Sequence, residues 1–138
     1  MEFCNWLPIN AFICPEFDVE VLEDNGVTRT IRDRSGAIKK VSNERLSLPL
    51  TIESPVKDKK TWENIKPRLK IASGNRFPAD WKNICEINQK SDMPSFIGGS
   101  PCGFYGALRE LFGPEAVLYS FYDMPDVVND MMDTLCEL

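Results

Sequence analysis

The sequence predicts one mixed domain, between α/β and α+β. Three observations carry that prediction. Up to about residue 70 apolar residues alternate with polar ones, as in half-buried strands. Beyond it they recur at helical spacing, and one apolar stretch, Met93 to Ile97, runs into a glycine-rich turn. With 138 residues, 43% of them hydrophobic and 10% aromatic, the chain can enclose one core and is not a disordered tail.

Residues 17–23 (FDVEVLE) place Phe17, Val19 and Val21 on one side, and Asp18 and Glu20 on the other. Asn25-Gly26 follows and predicts a type I′ hairpin, in which both central residues take positive φ. Val27 to Ile31 alternates again, Arg34-Ser35-Gly36 makes a second turn, and Ala37 to Val41 is a third short strand. The result is an antiparallel three-stranded meander. Arg29, Lys39 and Lys40 are expected on its outer face, opposite Glu20 and Glu23. Residues 46–52 form a further extended piece, confined to an edge by Pro49.

Helices follow. Asp58 is an N-cap for Trp62, Ile65 and Leu69, and Pro67 ends or kinks that helix at Lys66. Pro78 opens a second helix with Trp81, Ile84, Cys85 and Asn88 on one face. Met93 to Ile97 reads as a buried strand feeding Gly98-Gly99-Ser100-Pro101-Cys102-Gly103, the βα half of a βαβ unit. Phe104 to Phe112 is the next helix, striped by Leu108, Leu111 and Phe112 and capped by Gly113. A short helix runs from Pro114 to about Phe121. The last carries Val127, Val128, Met131, Leu135 and Leu138 on one stripe, with Asp123 or Met124 as its cap. The single partial domain 1–138 thus divides into a meander with its extended piece, 15–56, and helices plus one strand, 57–138.

Charge and residue absences exclude several functions. Lys plus Arg is 16 and Asp plus Glu is 21, a net charge of −5, with no basic block to wrap nucleic acid. The chain has no histidine, which removes Ser-His-Asp and Cys-His hydrolases and most catalytic zinc sites. The five cysteines (4, 14, 85, 102 and 136) include no CxxC pair, and no metal site is expected. Their odd number, with Glu2, Asn5 and Pro8 in place of a signal peptide, reads as reduced thiols in a cytoplasmic protein. The longest uncharged run, Met93 to Leu108, is too short and too rich in Gly and Pro to span a membrane.

The turn Gly98 to Gly106 is the most suggestive local feature. Glycines after a strand let a ligand approach the backbone, and a following helix N-terminus favours anions. GGSPCGFYG matches neither GxGxxG nor GxxxxGKS, so a close-packed strand-to-helix turn stands beside the ligand-lining reading. Tyr105 offers a hydroxyl to a pocket, or packs as an aromatic. Arg76 offers a fork for a carboxylate, or is solvated. A thiol at Cys102, just before a helix, is a third and weaker candidate, as an oxidation sensor.

Three stretches carry a resemblance. PEFDVEVLEDNGVTRTIRDRSGAIKKV (15–41), LPLTIESPVKDKKTWENIKPRL (48–69) and MPSFIGGSPCGFYGALRELFGPEAVLYSFYDMPDVVNDMMD (93–133) resemble, in that order, the uroporphyrinogen decarboxylase-like superfamily. The resemblance is closest to its corrinoid-methyltransferase-like branch. It implies a partial (β/α)8 barrel, in which the meander is an insertion near the barrel mouth and FIGGSPCGFYG is a barrel strand with its loop. It further implies tetrapyrrole decarboxylation without a cofactor, or methyl transfer from a methyl donor. Gly98, Gly99 and Pro101 would line the substrate pocket, with Tyr105 and Arg76 as further candidates. No family catalytic residue carries over. The arginine-rich substrate loop, the Ser-Asp-Ile-Leu type motif and the late histidine have no counterparts here.

Two hypotheses follow. The chain is an N-terminal segment of a barrel enzyme, catalytic only when the barrel is complete, and it binds a complementary half or itself. Alternatively, it is a stand-alone α+β interaction module that has lost the chemistry. Neither needs a cofactor of its own, a nucleic acid or a membrane.

Overall fold

A computed structural model of the chain describes residues 4–44, 48–72, 74, 76–97, 101 and 103–138. Among these it shows a mixed α/β architecture with a four-stranded antiparallel sheet, a two-stranded parallel sheet and five α-helices. The strands are β1 (Asn5–Trp6), β2 (Glu20–Asp24), β3 (Thr28–Arg32), β4 (Ile38–Ser42), β5 (Leu50–Glu53) and β6 (Ser95–Phe96). The helices are α1 (Lys59–Ile65), α2 (Trp81–Gln89), α3 (Gly103–Phe112), α4 (Ala116–Asp123) and α5 (Pro125–Cys136), with a 3₁₀ turn at Lys66–Leu69.

The meander has four strands rather than three, in the order β2-β3-β4-β5. Pro49 lies just outside β5, so its missing N–H leaves the pairing of Leu50 with Lys40 and Thr51 with Lys39 intact. The register then skips Ile52 and resumes at Glu53 opposite Ile38. A similar skip at Leu22 bulges β2. The Asn25-Gly26 turn is not type I′: only Gly26 has positive φ, at 84°. Asn25 instead uses its side-chain oxygen, which accepts from the Val27 and Thr28 amides at 3.0 and 2.8 Å. At the second turn Gly36 (φ 86°) sits where a Cβ would meet the Phe17 ring at 2.9 Å, so both conformation and space require glycine.

The core lies among the helices. Trp62 and Ile65 of α1, Leu69, Leu108, Leu111 and Phe112 of α3, Val117 of α4, and Val127, Val128 and Met131 of α5 form one buried cluster with Ile13 and Val56. Asp58 and Thr61 close a capping box on α1, and Pro67 turns its end into the 3₁₀ segment. Trp62 Nε1 donates to Asp130 Oδ2 at 2.6 Å, and Lys66 Nζ donates to both Asp130 oxygens at 2.7 and 2.9 Å. That cluster clips α1 to α5. Gly113 (φ 87°) ends α3, and its amide donates to the Arg109 carbonyl at 2.9 Å. Asp123 closes α4 rather than capping α5, whose cap position is Met124 with no side-chain bond.

β1 and β6 pair in parallel, Asn5 with Ser95 and Trp6 with Phe96. The two rings pack in a tilted arrangement with centroids 4.9 Å apart. β6 was expected to be buried; both its residues are exposed, because β1 alone flanks it among the described residues. α2 precedes β6 with Trp81, Ile84, Cys85 and Asn88 half-buried on the expected face, yet none of its residues is fully buried.

Candidate functional site

A cleft of about 420 Å³ opens between the N-terminal segment, the turn after β3 and the start of α3. Phe12, Ile13, Val19, Ile31 and Pro101 form its apolar wall, and Glu16, Asp33, Arg34 and Glu110 its charged rim. Glu110 of α3 meets β4 across 71 positions of sequence.

Lys39 of β4 joins the two sides. Its Nζ lies 2.6 Å from Asp33 Oδ2 and 2.9 Å from Glu110 Oε1, with the lysine about four-fifths buried. Burial opposes its charge, but the bonds and charges of Asp33 and Glu110 outweigh that and raise its pKa above the ordinary value. Burial likewise opposes the Asp33 carboxylate. The bonds from Lys39 and Ser35 win there too, holding its pKa below the ordinary value. Asp33 Oδ1 also accepts from the Ser35 amide at 2.9 Å, the Ser35 hydroxyl at 2.6 Å and the Ala37 amide at 3.1 Å. Lys39 is therefore a fixed ammonium at neutral pH, neither a nucleophile nor a base. It does not stand on the outer face with Lys40, as the alternation suggested; Glu20 pairs with Arg32 at 2.7 Å instead.

The candidate residues do not converge. Pro101 lines the cleft and lies under Gly106, where a Cβ would touch its own Cβ at 3.6 Å. Tyr105 is half exposed on α3 and does not line this cleft. Gly98, Gly99 and Cys102 lie outside the described residues. Arg76 is 5% exposed. Its NH1 donates to the Asn10 and Phe12 carbonyls at 2.9 and 2.6 Å, and its NH2 to those of Arg68 and Lys70 at 2.8 and 3.1 Å. Its Nε donates to Lys70 at 3.1 Å. Those five bonds use every N–H of a guanidinium, so in this arrangement none is left for a substrate carboxylate. Burial lowers its pKa from the ordinary value, and the ring of carbonyl oxygens compensates the charge. Its role here is to tie the N-terminal segment to the 3₁₀ turn.

The Asp33–Lys39–Glu110 cluster was not found from sequence. The one available signal was Lys39 beside Lys40 in a strand, where one of the two must face inward. Each acid at the rim of the cleft has a cation beside it: Arg34 Nε lies 3.6 Å from Glu16, and Lys39 holds both Asp33 and Glu110, so the charges there are largely balanced. Among the described residues no group of three or more His, Cys, Asp or Glu stands ready to hold a metal ion. No helix among them is long and apolar enough to cross a membrane. No protein-family model, curated protein or solved structure matches the chain.

Proposed function

We propose that the chain is a segment of a uroporphyrinogen decarboxylase-like barrel protein, in the cytoplasm, that contributes to tetrapyrrole decarboxylation or methyl transfer only when the barrel is complete. The parallel pairing of β1 with β6 carries this reading. Parallel strands occur almost only in sheets covered on both faces by crossover helices. Here the pair is separated by an antiparallel excursion, preceded by α2 and followed by α3, with Trp6 and Phe96 exposed. A barrel completed around β1 and β6 would cover those rings and pair both open edges. The ordered resemblance of residues 15–41, 48–69 and 93–133 supports the same origin.

Gly98, Gly99 and Pro101 would then line the pocket of the completed barrel, with Tyr105 at its side. A tetracarboxylate substrate needs several cations. With Arg76 already bonded to carbonyls, the completing half supplies them. The commitment of Arg76 to backbone carbonyls favours the second reading, a stand-alone interaction module without chemistry of its own.

An immunoblot of the source cells with an antibody to residues 15–41 separates the two. A product several-fold larger than 15.7 kDa supports the barrel reading. A product of that size ends it and leaves the interaction module.

A further inference from the structure

The seam between the four-stranded sheet and the helical layer is loosely packed. An antiparallel sheet ordinarily buries one face against the core of its domain. Here no residue of β2, β3, β4 or β5 is fully buried, and among the described residues the core cluster takes no side chain from these strands. Three clefts run along the seam instead. The one of about 420 Å³ sets Val19 and Ile31 against Phe12 and Pro101. A second, of about 350 Å³, sets Gly36 and Ile38 against Asn64 and Ile65 of α1. A third, of about 460 Å³, sets Leu50 and Thr51 against Phe112 and Tyr119. Close packing resists the movement of one layer over another, and this boundary lacks it. Within itself the sheet is coherent. β3 and β4 pair from Thr28–Ser42 to Arg32–Ile38 without a slip. At the far end Arg29 Nε donates to Asn43 Oδ1 at 2.7 Å, and Asn43 Nδ2 donates to the Gly26 carbonyl at 2.8 Å, so these bonds close inside the sheet.

We infer that the four-stranded sheet is a hinged lid over the cleft of about 420 Å³, swinging as one body about its connections at 16–18 and 54–55, and that Lys39 is its latch. The side-chain contacts that hold it shut gather near the β3–β4 turn. Lys39 Nζ reaches Glu110 of α3 at 2.9 Å. The Arg68 guanidinium lies 4.1 Å from the centre of the Phe17 ring, which rests against Gly36. At the exit from β5, the Val56 amide donates to the Leu111 carbonyl at 3.0 Å and the Val56 side chain is buried, which fixes one end of that hinge to the helical layer. A few connecting residues are enough to absorb such a rotation. Opening breaks the bond between Lys39 and Glu110 but leaves neither charge stranded. Lys39 keeps Asp33, which belongs to the same moving turn, at 2.6 Å, and the Glu110 side chain, already about a third exposed, turns to water. Opening uncovers the wall formed by Phe12, Ile13 and Pro101. The lid goes beyond both functional readings, because β1, α2 and β6 take no part in it.

Residual dipolar couplings of the backbone amides in the whole chain test it, because they report how strongly each part of a molecule aligns. Glu110→Ala and, from the other side of the latch, Lys39→Met should each lower the alignment strength of β2–β5 relative to that of α1, α3 and α5. Couplings within the sheet should still fit a single orientation, as for a body that swings rather than unfolds. Glu110→Ala keeps a good helix former in α3, so the helices should retain their couplings. Lys40→Met, at the exposed neighbouring position, should leave the ratio as it is in the unaltered chain. One alignment of equal strength for sheet and helices in both latch variants would overturn the inference. So would a sheet whose couplings no longer fit one orientation, or a loss as large in Lys40→Met as in Glu110→Ala.

Discussion

The helical layer and the β1–α2–β6 unit are built from similar side chains and end in opposite states. Around α1, α3, α4 and α5, apolar stripes meet from several sides, and Leu111, Val117 and Met131 lose all contact with solvent. In the β1–α2–β6 unit, Trp6 packs on Phe96, Phe77 packs on Trp81 with ring centroids 5.2 Å apart, and no residue of α2 is buried. Apolar content alone does not make a core. Enclosure does, and a two-stranded parallel pair with one helix lacks the layers to enclose anything.

That contrast is open to direct tests. Trp62→Ala should cost about 3–5 kcal/mol, because it opens a cavity among α1 and α5 and removes the indole N–H from Asp130. Phe96→Ala, the same kind of truncation in the exposed unit, should cost under about 1 kcal/mol. Urea unfolding of the two variants measures the difference, and equal losses would mean that the parallel pair is covered in solution.

Arg76 links the two regions. Arg76→Ala strands carbonyls of Asn10, Phe12, Arg68 and Lys70, and should cost about 2–4 kcal/mol. Arg76→Lys should recover only a small part, since an ammonium has three donors to replace five. Limited proteolysis should then cut first within residues 7–12. Protection there in the alanine variant would show that the N-terminal segment holds without the guanidinium.

The smallest effects are electrostatic. Asp33 and Asp130 both have pKa values held below the ordinary 3.8 in the folded chain. For Asp130, the hydrogen bonds from Lys66 and Trp62 are the main cause. A depressed carboxylate contributes stability that is present above its unfolded pKa and lost as pH falls through the folded value. The acid limb of the stability profile should therefore fall below about pH 4, and it should be shallower in Asp33→Asn. Lys39 runs the other way. Its raised pKa contributes stability that is complete below the ordinary 10.5 and lost as pH rises beyond it. Asp130→Asn should cost under about 1 kcal/mol, because its carboxylate stays well solvated. Thermal unfolding between pH 2 and pH 11 checks these signs.

Local patterns were legible where one face of one element decided the outcome. The α2 face of Trp81, Ile84, Cys85 and Asn88, the Asp58 cap and the Pro67 break are each written within a few residues. Partnerships across the chain were not. Nothing near Lys39 announces Glu110, and nothing in the polar loop around Arg76 shows that four carbonyls will converge on it. The fourth strand was hidden by Pro49, which marks an edge without saying whether the next residues pair. The site was less legible than the fold, because Pro101, Tyr105 and Arg76 are gathered by sequence reasoning into one pocket and by packing into three places.

The partners in the β1–β6 pair lie 90 positions apart. A ribosome adding about 5–20 residues per second needs on the order of 5–20 s to supply the second strand after the first. For that interval Trp6 has no ring to pack on, and the Asn10 and Phe12 carbonyls wait for Arg76. The meander, made of neighbours in sequence, can close meanwhile. The segment around β1 therefore stays without its partner strand while the residues between them are made.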